Sequence, residues 1–189
     1  MTIKIYVAGP EVFLPDARAV LARKAGMVRQ AGFLPLCPGD LEIPPHPVKK
    51  EFGKAISAAD ETMMVEADAI IANLTPFRGI TADTGTAYEL GFMCALGKIV
   101  LAYTNVPGDH YDRIVAHYGG NIIIGADGHR RGPDGLSAED FDMVDNLMLQ
   151  GGVERRGGVV VVGHAPPDNL IGDVTAFAEC LEILKSRNV

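Results

Sequence analysis

Ala67-Asp68-Ala69-Ile70-Ile71-Ala72-Asn73-Leu74-Thr75-Pro76-Phe77-Arg78-Gly79, then Thr84-Gly85-Thr86-Ala87-Tyr88-Glu89-Leu90-Gly91, then Ile99-Val100-Leu101-Ala102-Tyr103, contain a whole structural unit. Ala69 to Leu74 is a short apolar run of strand length. Pro76 and Gly79 break the chain into a loop over Thr75 to Ala82. Small and apolar residues from about Thr84 to Leu96 read as a helix stopped by Gly97, and Ile99 to Tyr103 is a second apolar run. Strand, helix and strand in this order imply parallel pairing, with the helix covering one face of the sheet.

Working outward, the same alternation recurs. Ile3 to Ala8 is a first strand, cut off by Gly9-Pro10, which brings backbone close to whatever binds above the strand end. A helical period follows from about Asp16 to Ala31, and Gly32 stops it. Phe33 to Cys37 is a short second strand. Pro38, Pro44, Pro45 and Pro47 make residues 38–50 a loop. A helix from about Lys50 to Glu66 leads into the quoted stretch. Beyond it, residues 105–142 are rich in Gly, Asp, His and Arg and lack periodicity, so they read as a long loop insertion with a short helix at 109–118. Val159 to Val162 is a fifth strand, and an amphipathic helix covers about Ile171 to Ser186. The expectation is one α/β domain over 1–189, with a five-stranded parallel sheet covered on both faces.

Composition narrows the class. The formal net charge of −7 argues against a nucleic-acid partner, which would need clustered Lys and Arg. No apolar run reaches the roughly 18 residues of a membrane span, and the start of the chain does not read as a signal peptide. Three cysteines, Cys37, Cys94 and Cys180, are too scattered for a disulfide framework or a metal site, and the five histidines lack ligand spacing. A cytoplasmic protein without metal or cofactor is expected.

In doubly wound sheets ligands sit beyond the carboxyl ends of strands, so the carboxylates near such ends matter most. Glu89 is the one ionisable carboxylate from Thr84 to Gly97, in a helix otherwise poor in charge. If that helix is largely buried, its carboxylate needs partners. Gly85, Thr86 and Ala87 allow close approach of a ligand to the helix start. A solvent-facing glutamate would fit the same spacing. Asp83 is placed as a helix cap and Asp68 as a turn residue, yet with Glu89 they would bring three carboxylates to one crevice. Paired carboxylates at a sugar are the apparatus of glycosidic bond chemistry.

Ile5-Tyr6-Val7-Ala8-Gly9-Pro10, the stretch from Ala67 to Gly79, Asp83 through Gly91, and Asn146-Leu147-Met148-Leu149 together resemble the nucleoside 2-deoxyribosyltransferase family. The match is good over roughly the first 105 residues and around Asn146, and poor over 105–142. The resemblance implies a flavodoxin-like, three-layer fold. It also implies transfer of a 2-deoxyribosyl group between nucleobases, with a 2′-deoxynucleoside and a free base as partners. Glu89 would be the nucleophile, Tyr6 would hold its carboxylate, and Asp68 would protonate the departing base. Asp83 would bind sugar hydroxyls or share the proton work. Gly9 and Phe13 would line the base pocket, with Phe77 and Gly79 on the opposite loop. Asn146, beside Met148, would reach the 5′-hydroxyl of sugar held by a neighbouring subunit, which requires a homodimer or higher assembly.

Three other readings compete. A 2′-deoxynucleoside 5′-monophosphate hydrolase shares the fold and the Tyr, Asp and Glu set, but needs donors for a phosphate, and no serine cluster supplies them. A phosphoribohydrolase of the cytokinin-activating type would need a glycine pair where Thr81-Ala82 stand. A non-catalytic nucleoside-binding module would not need a carboxylate in the helix.

Overall fold

The computed structural model describes residues 2–187. Its main sheet has five parallel strands. They are β1 (Lys4–Ala8), β2 (Leu34–Leu36), β3 (Ala69–Asn73), β4 (Ile99–Thr104) and β7 (Val160–Val162), in the order β2-β1-β3-β4-β7. The chain moves outward from β1 to β2, then crosses to β3 on the other side. The carboxyl ends of β1 and β3 therefore flank the topological switch point. Among the described residues six helices accompany the sheet: α1 (Ala17–Gln30), α2 (Lys49–Glu66), α3 (Thr84–Ala95), α4 (His110–His117), α5 (Leu147–Glu154) and α6 (Thr175–Ser186).

Strand alternation sorts the core into two layers. Ile5, Val7, Ala69, Ile71, Leu101 and Tyr103 face α1 and α6, where Val28, Phe177 and Leu184 meet them. Tyr6, Ala8, Ile70, Ala72, Val100 and Ala102 face the other way, onto Met63 and Met64 of α2, Leu90 and Met93 of α3, and Val153 of α5. β3 is buried at every position, which is why it reads as an unbroken apolar run. The five-stranded parallel α/β expectation is met, with boundaries shifted by a few residues at most for these strands.

The final helix begins at Thr175, four residues later than expected, because a turn over residues 170–172 follows the 3₁₀ turn at Pro167–Asn169 and Asp173 accepts from Thr175 N at 2.8 Å at the helix start. Residues 105–142 hold the expected short helix as α4, and depart from a plain loop in an antiparallel hairpin of β5 (Ile123–Ile124) and β6 (Arg130–Arg131). The hairpin is braced by Arg131 on Asp127 at 2.7 Å and by Arg130 on Asp140 at 2.8 Å. A Tyr118 hydroxyl bond to Asp134 at 2.6 Å adds to it. Among the described residues no helix is long and apolar enough to cross a membrane.

Candidate active site

Tyr6 is the third residue of β1, and alternation turns it toward α2 and α3. Its fully buried hydroxyl donates to Glu89 Oε1 at 2.7 Å. Burial and the adjoining carboxylate push the phenol far above its ordinary range, so it remains a donor at any working pH. Glu89 sits on the second turn of α3. Its carboxyl is raised to about 7, chiefly by burial and further by the charges of Asp60, Asp83 and Glu11, while the Tyr6 bond opposes the rise. The result is a carboxylate poised near neutrality, with one oxygen held and the other left over.

The rest of α3 is less enclosed than its composition suggests. Tyr88, Gly91 and Ala95 lie on an exposed face, while Leu90, Met93 and Cys94 are buried. Glu89 borders the buried side.

Glu89 opens into a cleft of about 770 Å³ between α1, α2 and the start of α3. Gly9, Phe13, Asp83 and Gly85 also line it, so five of the residues singled out in the sequence meet there. Asp83 caps α3, accepting from Thr86 N at 3.0 Å. At Gly9 an added Cβ would fall 2.0 Å from Glu11 Oε2 and 2.8 Å from Asn73 Cβ, so only glycine fits beneath the cleft. Phe13 stacks on Phe77 at 5.0 Å between ring centroids, and the Arg78 guanidinium lies over both rings. Phe77 thus reaches the cleft through Phe13, and Gly79 lies in the exposed turn beyond it.

Asp68 does not belong to this constellation. It precedes the first residue of β3 and so stands at the amino end of the sheet, exposed, accepting from Lys4 N at 2.9 Å. The cleft opens at the carboxyl ends, so Asp68 ties together the amino ends of β1 and β3 and cannot protonate a base there. A carboxylate that lines the cleft besides Glu89 and Asp83 is Asp60 of α2. Burial raises its carboxyl above the ordinary aspartate value. Its signal in the sequence is its place among Ile56, Met63, Met64 and Ala67, an otherwise apolar stripe at helical spacing. Arg18, Arg29 and Asp40 are further polar lining residues that sequence reasoning did not single out. Cys37 lines it too, its thiol pushed up to about 12 by burial and therefore unreactive.

Asn146 and Met148 are not in this chain's cleft. Asn146 caps α5 through Met148 N at 3.0 Å and donates to Glu139 at 2.9 Å, and Met148 is 72% exposed. Beneath the cleft floor, Lys24 and Glu11 form a fully buried pair. Glu11 Oε1 also accepts from Asn73 Nδ2 at 2.8 Å and from the Tyr103 hydroxyl at 2.9 Å. Among the described residues no cluster of His, Cys, Asp or Glu could hold a metal ion.

The family model described as nucleoside 2-deoxyribosyltransferase matches residues 5–148 of the chain. An uncharacterized protein of Schizosaccharomyces pombe is 29% identical over 170 residues, which cover 84% of this chain and 80% of that one. A solved 2-desoxiribosyltransferase from Leishmania mexicana is 31% identical with a TM-score of 0.63, covering 95% of this chain and 97% of its own. A conserved protein from Enterococcus faecalis V583, 21% identical with a TM-score of 0.57 over 97% of this chain and 99% of its own, shares the fold.

Proposed function

Because the chain belongs to the nucleoside 2-deoxyribosyltransferase family, we propose that it exchanges the nucleobase of a 2′-deoxynucleoside for a free base by a retaining double displacement. The observation that carries this is the Tyr6 bond to Glu89 Oε1 at 2.7 Å, which leaves Oε2 to attack. In the first step Oε2 bonds to the anomeric carbon as the glycosidic bond breaks. The bonding pair leaves with the base nitrogen, which takes a proton from Asp60. In the second step a nitrogen of the incoming base attacks the same carbon, returns its proton to Asp60, and Glu89 departs as carboxylate. Two inversions retain configuration.

Burial raises the Asp60 carboxyl above the ordinary aspartate value, the direction that a proton donor to a poor leaving group needs. Asp83, at the cleft beside Gly85, serves the sugar hydroxyls. The Phe13 ring offers a stacking surface for the base. Asn146 and Met148 serve a neighbouring subunit's sugar in a homodimer or larger assembly, a reading supported by their position outside this chain's own cleft. Three buried free cysteines support a reducing, cytoplasmic setting for this salvage chemistry.

The test is direct. The protein is incubated with a deoxynucleoside and a second free base, and the products are separated by chromatography. Base exchange is expected, and Glu89→Ala should lower it by at least about 10³-fold. Free deoxyribose without exchange would mean a hydrolase, and no turnover would mean a binding module. Full activity in Glu89→Ala would remove the nucleophile assignment.

A further inference from the structure

The segment between β4 and β7 is the part of the chain least like a plain sheet-and-helix design, and one of its side chains reaches the active-site scaffold. Arg113 lies on α4 with its guanidinium mostly enclosed. Its Nε donates to the Ile80 carbonyl at 2.8 Å and its Nη2 to the Val144 carbonyl. The same Nη2 lies 3.5 Å from Asp145 Oδ2, and the Asp145 side chain is fully buried. That oxygen also accepts from Ala82 N at 2.9 Å, while Asp145 Oδ1 accepts from Asn146 N at 2.7 Å. The start of α4 is itself tied down, His110 N donating to the Met143 carbonyl at 2.7 Å.

One guanidinium and one carboxylate thus join two irregular stretches that are remote in sequence, residues 80–82 and 143–146. The first runs directly into Asp83, the cap of α3 and a lining residue of the cleft. The second runs directly into Asn146, the cap of α5. We propose that Arg113 and Asp145 are positioning residues, a clamp by which α4 fixes Asp83 for this chain's cleft and Asn146 for its role in sugar binding. The proposal rests on the base-exchange reading for its activity arm.

Stability does not explain the pair. A buried ion pair seldom gains over apolar residues of equal volume, and Arg113 Nη1 is buried without a partner, a further cost. Its yield is geometric, since a planar fork can meet Ile80, Val144 and Asp145 at once, which an ammonium on a flexible stem cannot.

The experiment compares Arg113→Lys, Arg113→Met, Asp145→Asn and the Met/Asn double variant, with Arg131→Lys, whose partner Asp127 is exposed, as control. Two readouts are taken on the intact protein. Hydrogen exchange by mass spectrometry should rise about tenfold or more in peptides spanning 78–86 and 143–148 for Arg113→Lys, with the β1, β3 and β4 peptides unchanged. Base exchange should lose about 10–100-fold in kcat/KM in each single variant, and the double variant should lose no more than the worse single. The control should match the starting protein in both. A rise in exchange spread evenly over the sheet, or unchanged exchange at 78–86 and 143–148, would overturn the clamp. If the unaltered protein shows no base exchange, the functional reading fails while the hydrogen-exchange arm still decides the clamp.

Discussion

At the residue scale the Tyr6 and Glu89 pair sets the pH behaviour. As the proposed nucleophile Glu89 must be ionised, and burial holds its carboxyl near 7, so kcat/KM should climb through an apparent pKa near 7 as pH rises. Tyr6→Phe removes the bond that favours the charged form. The limb should then move up by about one unit and the rate at pH 7 fall about fivefold through the lost ionised fraction. An unmoved limb in Tyr6→Phe would show that the hydroxyl does not set the Glu89 charge state. Stability follows the same shift with the opposite consequence. A carboxyl raised from 4.5 to about 7 on folding binds more protons folded than unfolded between those values, so stability falls as pH rises through that window. Glu89→Gln should therefore exceed the unaltered protein at pH 8 by about 1–3 kcal/mol and lose that margin near pH 5. Thermal melts at the two pH values check it. Glu89 and Asp83 stood out because the first breaks an apolar helix pattern and the second stands where a helix starts, whereas Tyr6, inside an apolar strand, was marked only by the family resemblance. Asp68 misled because a carboxylate next to a strand says nothing of which strand end it marks. Asp60 was overlooked because a mid-helix aspartate looks solvated until the buried stripe around it is traced.

At the scale of elements, the strands and long helices were readable from period and punctuation alone, because each buries a face against the sheet. Three elements were not. The β5 and β6 strands are two residues each, and Ile123 and Ile124 are both exposed, so no alternation marks them. The α5 helix contains Gly151 and Gly152, each costing a helix about 1 kcal/mol. It forms nonetheless because it packs on α3, with Gly152 close beneath Cys94 Sγ, which donates to the Gly152 carbonyl at 3.7 Å. The turn after β1 is the most constrained junction. Gly9 has extended backbone that any residue could adopt, so its requirement is steric. A methyl there would strike Glu11 and Asn73, both members of the buried polar cluster under the cleft. Gly9→Ala should cost about 1–3 kcal/mol through overpacking, which at this chain length lowers the melting midpoint by roughly 2–12 °C. Differential scanning calorimetry reads this directly, and a melt within a degree of the original would mean the cluster relaxes freely.

At the scale of the whole molecule, the cleft is lined by Asp60, Asp83 and Glu89 of one chain, with Tyr6 buried behind Glu89, yet Asn146 and Met148 do not line it. No sequence pattern states which subunit a side chain serves, because periodicity reports burial within one chain and is blind to a partner. The proposed sharing of sites between subunits makes a prediction that activity alone tests. Glu89→Ala and Asn146→Ala should each be nearly inactive as pure proteins, the first lacking its nucleophile and the second its grip on the neighbour's sugar. In a hybrid dimer, one site pairs an intact Glu89 with the intact Asn146 of the other chain, while the second site carries both defects. Random mixing yields half hybrids, each with one working site, so unfolding the two variants together and refolding them should restore about a quarter of the original activity per chain. Simple mixing without subunit exchange should restore none. If co-refolded variants stay as inactive as their parents, although mass spectrometry finds the hybrid, each chain would be complete in itself. Asn146 would then be no more than the cap of α5.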